Sequence, residues 1–200
     1  MIRRTARLAV VASILGLCLA ASAHADSVVL PRAGQVGISA QGGYGTLFES
    51  GVFGQDFGSG SSFAVRLRYR MRYERAIGLS FESQNFDVRT PSNADTAFKS
   101  LSLTLSGFDF YQMFGTRTKT TRMLSVGAGL VQANSELNDG ETFFFPGTDG
   151  LYVSLGGGLE RFFYRSLAYD LSVRYYALFK DGEANHQVQA ALGLIFYAGY

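Results

Sequence analysis

The residue types best placed to do chemistry in this chain are arginines at alternating positions, Arg66, Arg68, Arg70 and Arg72, with Glu82, Glu160, Asp170 and Arg174 further on. In an extended strand alternate side chains share a face and repeat every ~6.6 Å. Arg66, Arg68 and Arg70 therefore predict a cationic column that needs counter-charges. Glu82, Glu160 and Asp170 are the candidates to supply them, beside Arg174. Such a column has two uses, a salt-bridged plug or the lining of a selective pore. Hydrolytic and metal chemistry have far less to work with. The chain has two histidines, His24 and His186, and one cysteine, Cys18. A general base must lie within reach of its nucleophile, and His186 has no evident partner, so it reads as a solvated histidine at the rim. His24 and Cys18 fall in a leader segment expected to be cleaved, and the one histidine that remains, without cysteine, cannot make the usual transition-metal ligand set, so no metal and no cofactor is expected. The glycine clusters Gly42-Gly43 and Gly156-Gly157-Gly158 are not followed by a helix, which a phosphate-cradling loop requires.

Residues 1–25 read as a cleaved secretory signal. Arg3, Arg4 and Arg7 precede an apolar run from Leu8 to Ala21, and Ala23-His24-Ala25 forms an A-x-A-like cleavage site before Asp26. That run is 14 residues long, short of the roughly 20 that cross hydrocarbon as a helix. Cleavage leaves residues 26–200 as one domain and removes Cys18, and with it any thiol or disulfide chemistry. Three of the 18 Lys and Arg residues also leave, so that 15 face 16 acids and the full-length charge of +2 becomes −1. No nucleic-acid partner is expected from that balance.

The elements that must position the charged column come next. From Gln35 onward eight segments, near 35–48, 63–73, 76–89, 101–114, 121–133, 151–163, 167–179 and 186–200, mostly alternate apolar and polar residues. Each is long enough to cross a bilayer as a tilted strand of roughly 9–11 residues. The connections alternate long and short, beginning with Glu49 to Ser62 and then Glu74-Arg75. Long extracellular loops and short periplasmic turns produce that alternation. The fold class is therefore all-β: an eight-stranded antiparallel transmembrane barrel, whose even strand count returns the last strand to the first and leaves no edge. The second segment sets Phe63, Val65, Leu67, Tyr69, Met71 and Tyr73 toward lipid and Ala64, Arg66, Arg68, Arg70 and Arg72 toward the lumen. Segments three, six and seven likewise place Glu82, Glu160, Asp170 and Arg174 inward. In the fourth segment Leu101, Leu103 and Leu105 set a phase whose continuation carries Asp109 into lipid, so a bulge near Ser106-Gly107 is expected. Eight strands leave an interior just wide enough for side chains to fill, which favours the plug over the pore, and strand glycines leave room for long charged neighbours.

Aromatic residues stand at both predicted membrane boundaries, with Tyr73, Phe114, Phe163, Tyr164 and Tyr200 at the turn end. Tyr44, Phe48, Phe63, Phe86, Phe98, Phe143-Phe144-Phe145 and Phe179 stand toward the loop end. In the last segment Leu192, Leu194, Phe196 and Tyr200 alternate along one apolar face. That pattern resembles the carboxy-terminal assembly signal of bacterial outer-membrane barrels, and implies the barrel assembly machinery as a partner. Leu124-Ser-Val-Gly-Ala-Gly-Leu130, the run from Gly150 to Phe162, and Leu171-Ser-Val-Arg-Tyr-Tyr176 extend the likeness. Across residues 26–200 the chain resembles the small outer-membrane β-barrel family: the transmembrane domain of outer membrane protein A, outer membrane proteins X and W, and the opacity-like, porin-family proteins. The resemblance implies a location in the bacterial outer membrane, and with Tyr200 as last residue no peptidoglycan-binding domain is expected. Lipid A deacylases and acyltransferases are similar in architecture and use His with Ser. Here Gln187-Val188 follows His186 in place of a His-x-Ser pairing, so no enzyme is expected.

Charge separates the two ends. The loop side carries ten acids, among them Glu49, Asp56, Glu136, Asp139 and Glu141, against Arg89, Lys99 and Lys180. The turn side carries Arg72, Arg75, Arg117, Lys119, Arg122, Arg161 and Arg165 against Glu74. Solvation explains the acidic loops more simply than cation binding, which would use scattered carboxylates beside lipopolysaccharide phosphates. The connection from Asn134 to Gly150 holds Phe143, Phe144 and Phe145, an apolar cluster that either packs on the Phe53 and Phe57 loop or meets a partner. The expected function is a non-enzymatic structural or surface-interaction role through extracellular loops, in contact with outer-membrane lipid and lipopolysaccharide and with a possible extracellular ligand. The alternatives are a narrow channel for small or hydrophobic solutes and a lipid A-modifying enzyme.

Overall fold

The alternation of side chains becomes a closed wall in the computed structural model, which describes residues 28, 30–89, 98–137, 142–144, 150–180 and 183–198. In chain order the elements are β1 (Val36–Leu47), α1 (Gly51–Asp56), β2 (Phe57–Arg72), β3 (Arg75–Val88), β4 (Phe98–Phe114) and β5 (Thr120–Leu137). They continue with β6 (Thr142–Phe144), β7 (Gly150–Tyr164), β8 (Leu167–Lys180) and β9 (Glu183–Ala198). Neighbours pair antiparallel around the ring, and β1 pairs with both β2 and β9, from Val36 opposite Ala198 to Leu47 opposite Gln187. Eight strands form the wall; the short β6 pairs with Asn134 to Glu136 of β5. A closed ring leaves no unpaired backbone edge facing hydrocarbon, which is why strands can span a membrane only in this form.

The outer surface inverts a soluble protein. Ile38, Phe81, Phe108, Leu155, Val173 and Leu194 are 45–73% exposed around the wall, an apolar belt far larger than water tolerates and suited to lipid. The inner surface holds the buried arginines, carboxylates and amides in phase with the lumen.

Strand β4 departs from the sequence reading. No bulge occurs near Ser106-Gly107: the register against β3 and β5 runs unbroken from Ser100 to Gln112, and the only shift in β4 lies between Phe98 and Ser100. Leu101, Leu103 and Leu105 are buried inside the barrel in the same phase as Asp109, while Phe108, Phe110 and Phe114 face out. Apolar residues on the inside carry the opposite sign from the rule that apolar faces lipid, and that reversal misled the phase. Phe86 is corrected likewise: it is 2% exposed and belongs to the interior, not to the loop-end girdle. The first loop is shorter than Glu49 to Ser62 because β2 begins at Phe57, and β9 begins at Glu183 rather than His186. Strand pairing continues into sequence whose polar and glycine content resembles a loop.

The lumen is filled in layers. At the loop end Leu47, Phe53, Phe57, Phe86, Leu101 and Leu103 belong to an apolar cluster that reaches Tyr152 and Tyr176. Charged groups occupy the middle and lower lumen. At the turn end Phe162, Ala168, Ile195 and Tyr197 pack together with Val28 and Leu30 of the segment that precedes β1. That segment turns at Gly34, whose φ of 88° favours glycine, and the Gly34 N–H donates to the Arg70 carbonyl at 2.7 Å. Val28 and Leu30 ahead of β1 thus pack against the turn-end interior, a role that alternation could not reveal because the segment is not a strand.

Candidate functional site

The lumen joins four arginines to four carboxylates. Arg66 Nη2 lies 3.0 Å from Glu82 Oε2, and the Tyr176 hydroxyl donates to the same oxygen at 3.0 Å. Glu160 is the hub: one oxygen pairs with Arg68 and accepts from the Tyr197 hydroxyl at 2.7 Å, while the other lies 2.8 Å from Arg70 Nη2. Arg68 also reaches Asp170 at 3.4 Å. Arg174 Nη1 lies 2.8 Å from Asp109 Oδ1, and Tyr111 donates to Asp109 at 2.9 Å while accepting from Arg174 at 3.0 Å. Two tyrosine faces add cation–π contacts, with Arg68 4.2 Å from the Tyr111 centroid and Arg70 4.7 Å from that of Tyr197.

The topology explains why these groups meet. Arg66, Arg68 and Arg70 descend one inner face of β2, Glu82 stands on adjacent β3, and Glu160 and Asp170 are directly opposed on β7 and β8 across the barrel. Two adjacent carboxylates repel unless cations come between them, and Arg68 touches both. Every charge is at most 5% exposed, so removing one partner strands another where water solvates it poorly. Asp109, Tyr111, Tyr176 and Tyr197 were missing from the sequence-derived network. Asp109 was obscured by the phase error in β4, and the tyrosines carry no charge to flag them. Arg72, in the same run as the other three arginines, is exposed beyond a register shift after Arg70.

Small residues make room for this packing. A Cβ on Gly127 would overlap Asp109 Oδ1 and lie 2.7 Å from Ser154 Oγ. Gly127→Ala therefore disturbs the Asp109 to Arg174 pair, at a cost of about 1–3 kcal/mol. Urea unfolding of the refolded protein measures this, and a midpoint equal to the parent's would show that the space is not needed.

Above the charges, α1 caps the apolar chamber. Phe53 is 2% exposed, and its N–H donates to Asn185 Oδ1 at 2.8 Å. Arg89, at the end of β3, clamps the helix: Nε donates to the carbonyls of Gly54 at 3.0 Å and Phe57 at 3.1 Å. Its Nη2 donates to Leu47 at 2.6 Å, and Nη1 pairs with Glu49 at 3.0 Å. Sequence reasoning counted Arg89 only as a loop charge, and no pattern marked Asn185. Arg89→Ala should release α1 and cost about 1.5–3 kcal/mol. Limited proteolysis near 51–56 reads the release, and cleavage as slow as in the parent would show the clamp to be idle.

His186 is not without a partner: its Nδ1 lies 2.6 Å from the Tyr175 hydroxyl, and the two rings stack at 5.8 Å on the outer wall. Among the described residues no group of three or more His, Cys, Asp or Glu could hold a metal ion. Leu192, Leu194 and Phe196 face outward on β9. Tyr200 lies outside the described residues, as do Phe145 and the side chains of Phe143 and Phe144.

No family model and no curated relative matches the chain. Solved structures do. Neisserial surface protein A, at 15% identity, aligns over 82% of this chain and 98% of that one with a TM-score of 0.62. The outer membrane protein OprG of Pseudomonas aeruginosa, at 10% identity, aligns over 87% and 100% with a TM-score of 0.56. Ail, the attachment invasion locus protein of Yersinia pestis, aligns at 15% identity over 82% and 99% with a TM-score of 0.53. What these structures share with the present one is the closed ring of eight antiparallel strands. In fold, the chain is an eight-stranded antiparallel β-barrel like those of these small outer-membrane proteins.

Proposed function

We propose that this chain is a non-enzymatic outer-membrane barrel that acts at the cell surface through its extracellular loops, the barrel itself being a closed scaffold. The observation that carries this reading is the filled lumen: apolar packing at the loop end, compensated charges below it, and Val28 and Leu30 packed against the interior at the turn end. The outer-membrane setting of the similar structures supports the location, and the names of two of them, a surface protein and an attachment invasion locus protein, fit a surface role. The engagement of His186 with Tyr175 on the lipid-facing wall supports a role without hydrolysis.

The partner-binding element in this reading is the connection that carries Phe143, Phe144 and Phe145. Replacing these three with Ser should leave the folded, heat-modifiable band intact while lowering attachment of expressing cells to host cells, matrix or lipopolysaccharide. Attachment equal to the parent's on all three surfaces would remove the loop from the proposal.

One observation favours a second reading. The chamber under α1 is apolar on its β3 to β8 side, whereas Gln41, Gln187 and Gln189 line the side formed by β1 and β9. A small apolar solute would suit that chamber once Phe53 withdrew.

A further inference from the structure

The turn end carries a feature that neither loop display nor solute binding uses. Arg122 of β5 and Arg161 of β7 both face outward and are exposed. The register pairs Thr120 with Arg161 and Arg122 with Leu159, which makes the two arginines diagonal neighbours on one face, with Cβ atoms within roughly 7–8 Å. Among the described residues neither guanidinium has an ion-pair partner.

Their surroundings are those of a membrane boundary. Phe114 lies opposite Arg122, and Tyr169 lies opposite Arg161. Phe163 stacks on Tyr169 with centroids 4.3 Å apart. One residue pair up the wall the surface is apolar, with Leu124, Leu159 and Leu171 exposed. On the turn side a groove of about 250 Å³ is lined by Phe114, Gly115, Thr118, Thr120 and Arg122. Two guanidiniums with nearby hydroxyls, held between an aromatic girdle and an apolar wall, match a phosphate whose substituents are acyl chains. Arg117 and Lys119 on the adjoining turn strengthen the positive field.

We propose that Arg122 and Arg161 form a headgroup site for an anionic phospholipid of the inner leaflet. Its phosphate sits between the two guanidiniums and its chains lie along Leu124, Leu159 and Leu171.

The test is native mass spectrometry of the full chain released from nanodiscs of phosphatidylcholine with a minor fraction of phosphatidylglycerol. The parent should retain phosphatidylglycerol well above its share of the bilayer. Since a basic side chain near a charged surface contributes a several-fold preference, Arg122→Gln with Arg161→Gln should reduce that enrichment roughly tenfold. Both side chains are exposed on the wall, and heat-modifiable mobility confirms that the variant has folded. The paired variant Arg72→Gln with Arg75→Gln, on a different turn, should keep most of the enrichment. Retained lipid that mirrors the bulk composition, or equal losses in the two paired variants, overturns the site; the second result would show a diffuse charge effect.

Discussion

Replacing Glu160 with Gln should cost the folded barrel about 3–5 kcal/mol, the range for breaking a buried ion pair from one side. Glu160 neutralises both Arg68 and Arg70 and accepts the Tyr197 hydroxyl. Without its charge, Arg68 keeps Asp170, but Arg70 keeps only the face and hydroxyl of Tyr197. Four buried arginines would then face three carboxylates. The comparison is Glu49→Ala, which breaks the pair with Arg89 at a side chain 79% exposed; that loss should stay within about 1 kcal/mol. Removing Arg70 together with Glu160, as the double replacement Arg70→Met and Glu160→Met, should restore most of the stability, because the remaining charges balance and apolar groups of similar size can replace a buried pair at little cost. Urea midpoints read from heat-modifiable mobility check all three. If Glu160→Gln and Glu49→Ala shift the midpoint equally, the lumen is hydrated enough to screen its charges and the plug account fails.

The second large effect concerns the loop-end seal. Phe53→Ala removes a ring buried among Leu47, Phe57, Phe86 and the β4 leucines, and should cost about 3–5 kcal/mol through lost transfer energy and a cavity. An apolar cavity of this kind stays dry and accepts small apolar molecules. The variant should therefore enhance the fluorescence of N-phenylnaphthylamine while the parent does not. This separates the two functional readings: a parent that already takes up the probe has a chamber open to solutes, whereas probe binding only in the variant means that Phe53 keeps it filled. Stability equal to the parent's would show that α1 is not packed as described.

What was legible in the sequence depended on whether a strand obeyed one rule, apolar toward lipid and polar toward the lumen. Strands β2, β3, β7 and β8 obey it below the apolar layer that holds Phe57, Phe86 and Leu178, so the facing of Phe63 to Met71 and the inward phase of Arg66, Glu82, Glu160, Asp170 and Arg174 could be read from period-2 alternation alone. Strand β4 breaks it, because the barrel has an apolar layer as well as a charged one. Leu101 and Asp109 share a face, and that coexistence makes sense only once Phe53 and Leu178 are seen packing with the leucines. The partners within the network were less legible than its members. Nothing in the spacing of Arg174 and Asp109, 65 positions apart, shows that Tyr111 bridges them. The caps at the two ends were not legible at all: α1 is six residues long, too short to show a helical period, and the segment before β1 has no period.

Whether the barrel is a closed scaffold is decided by planar-bilayer recording of the refolded full chain. With Glu160, Asp170 and Asp109 holding the arginines across the lumen and Phe53 in the loop-end chamber, the parent should insert without passing steady current. A stable, voltage-independent conductance from protein shown to be folded by its heat-modifiable mobility would contradict the account and replace the scaffold with a channel.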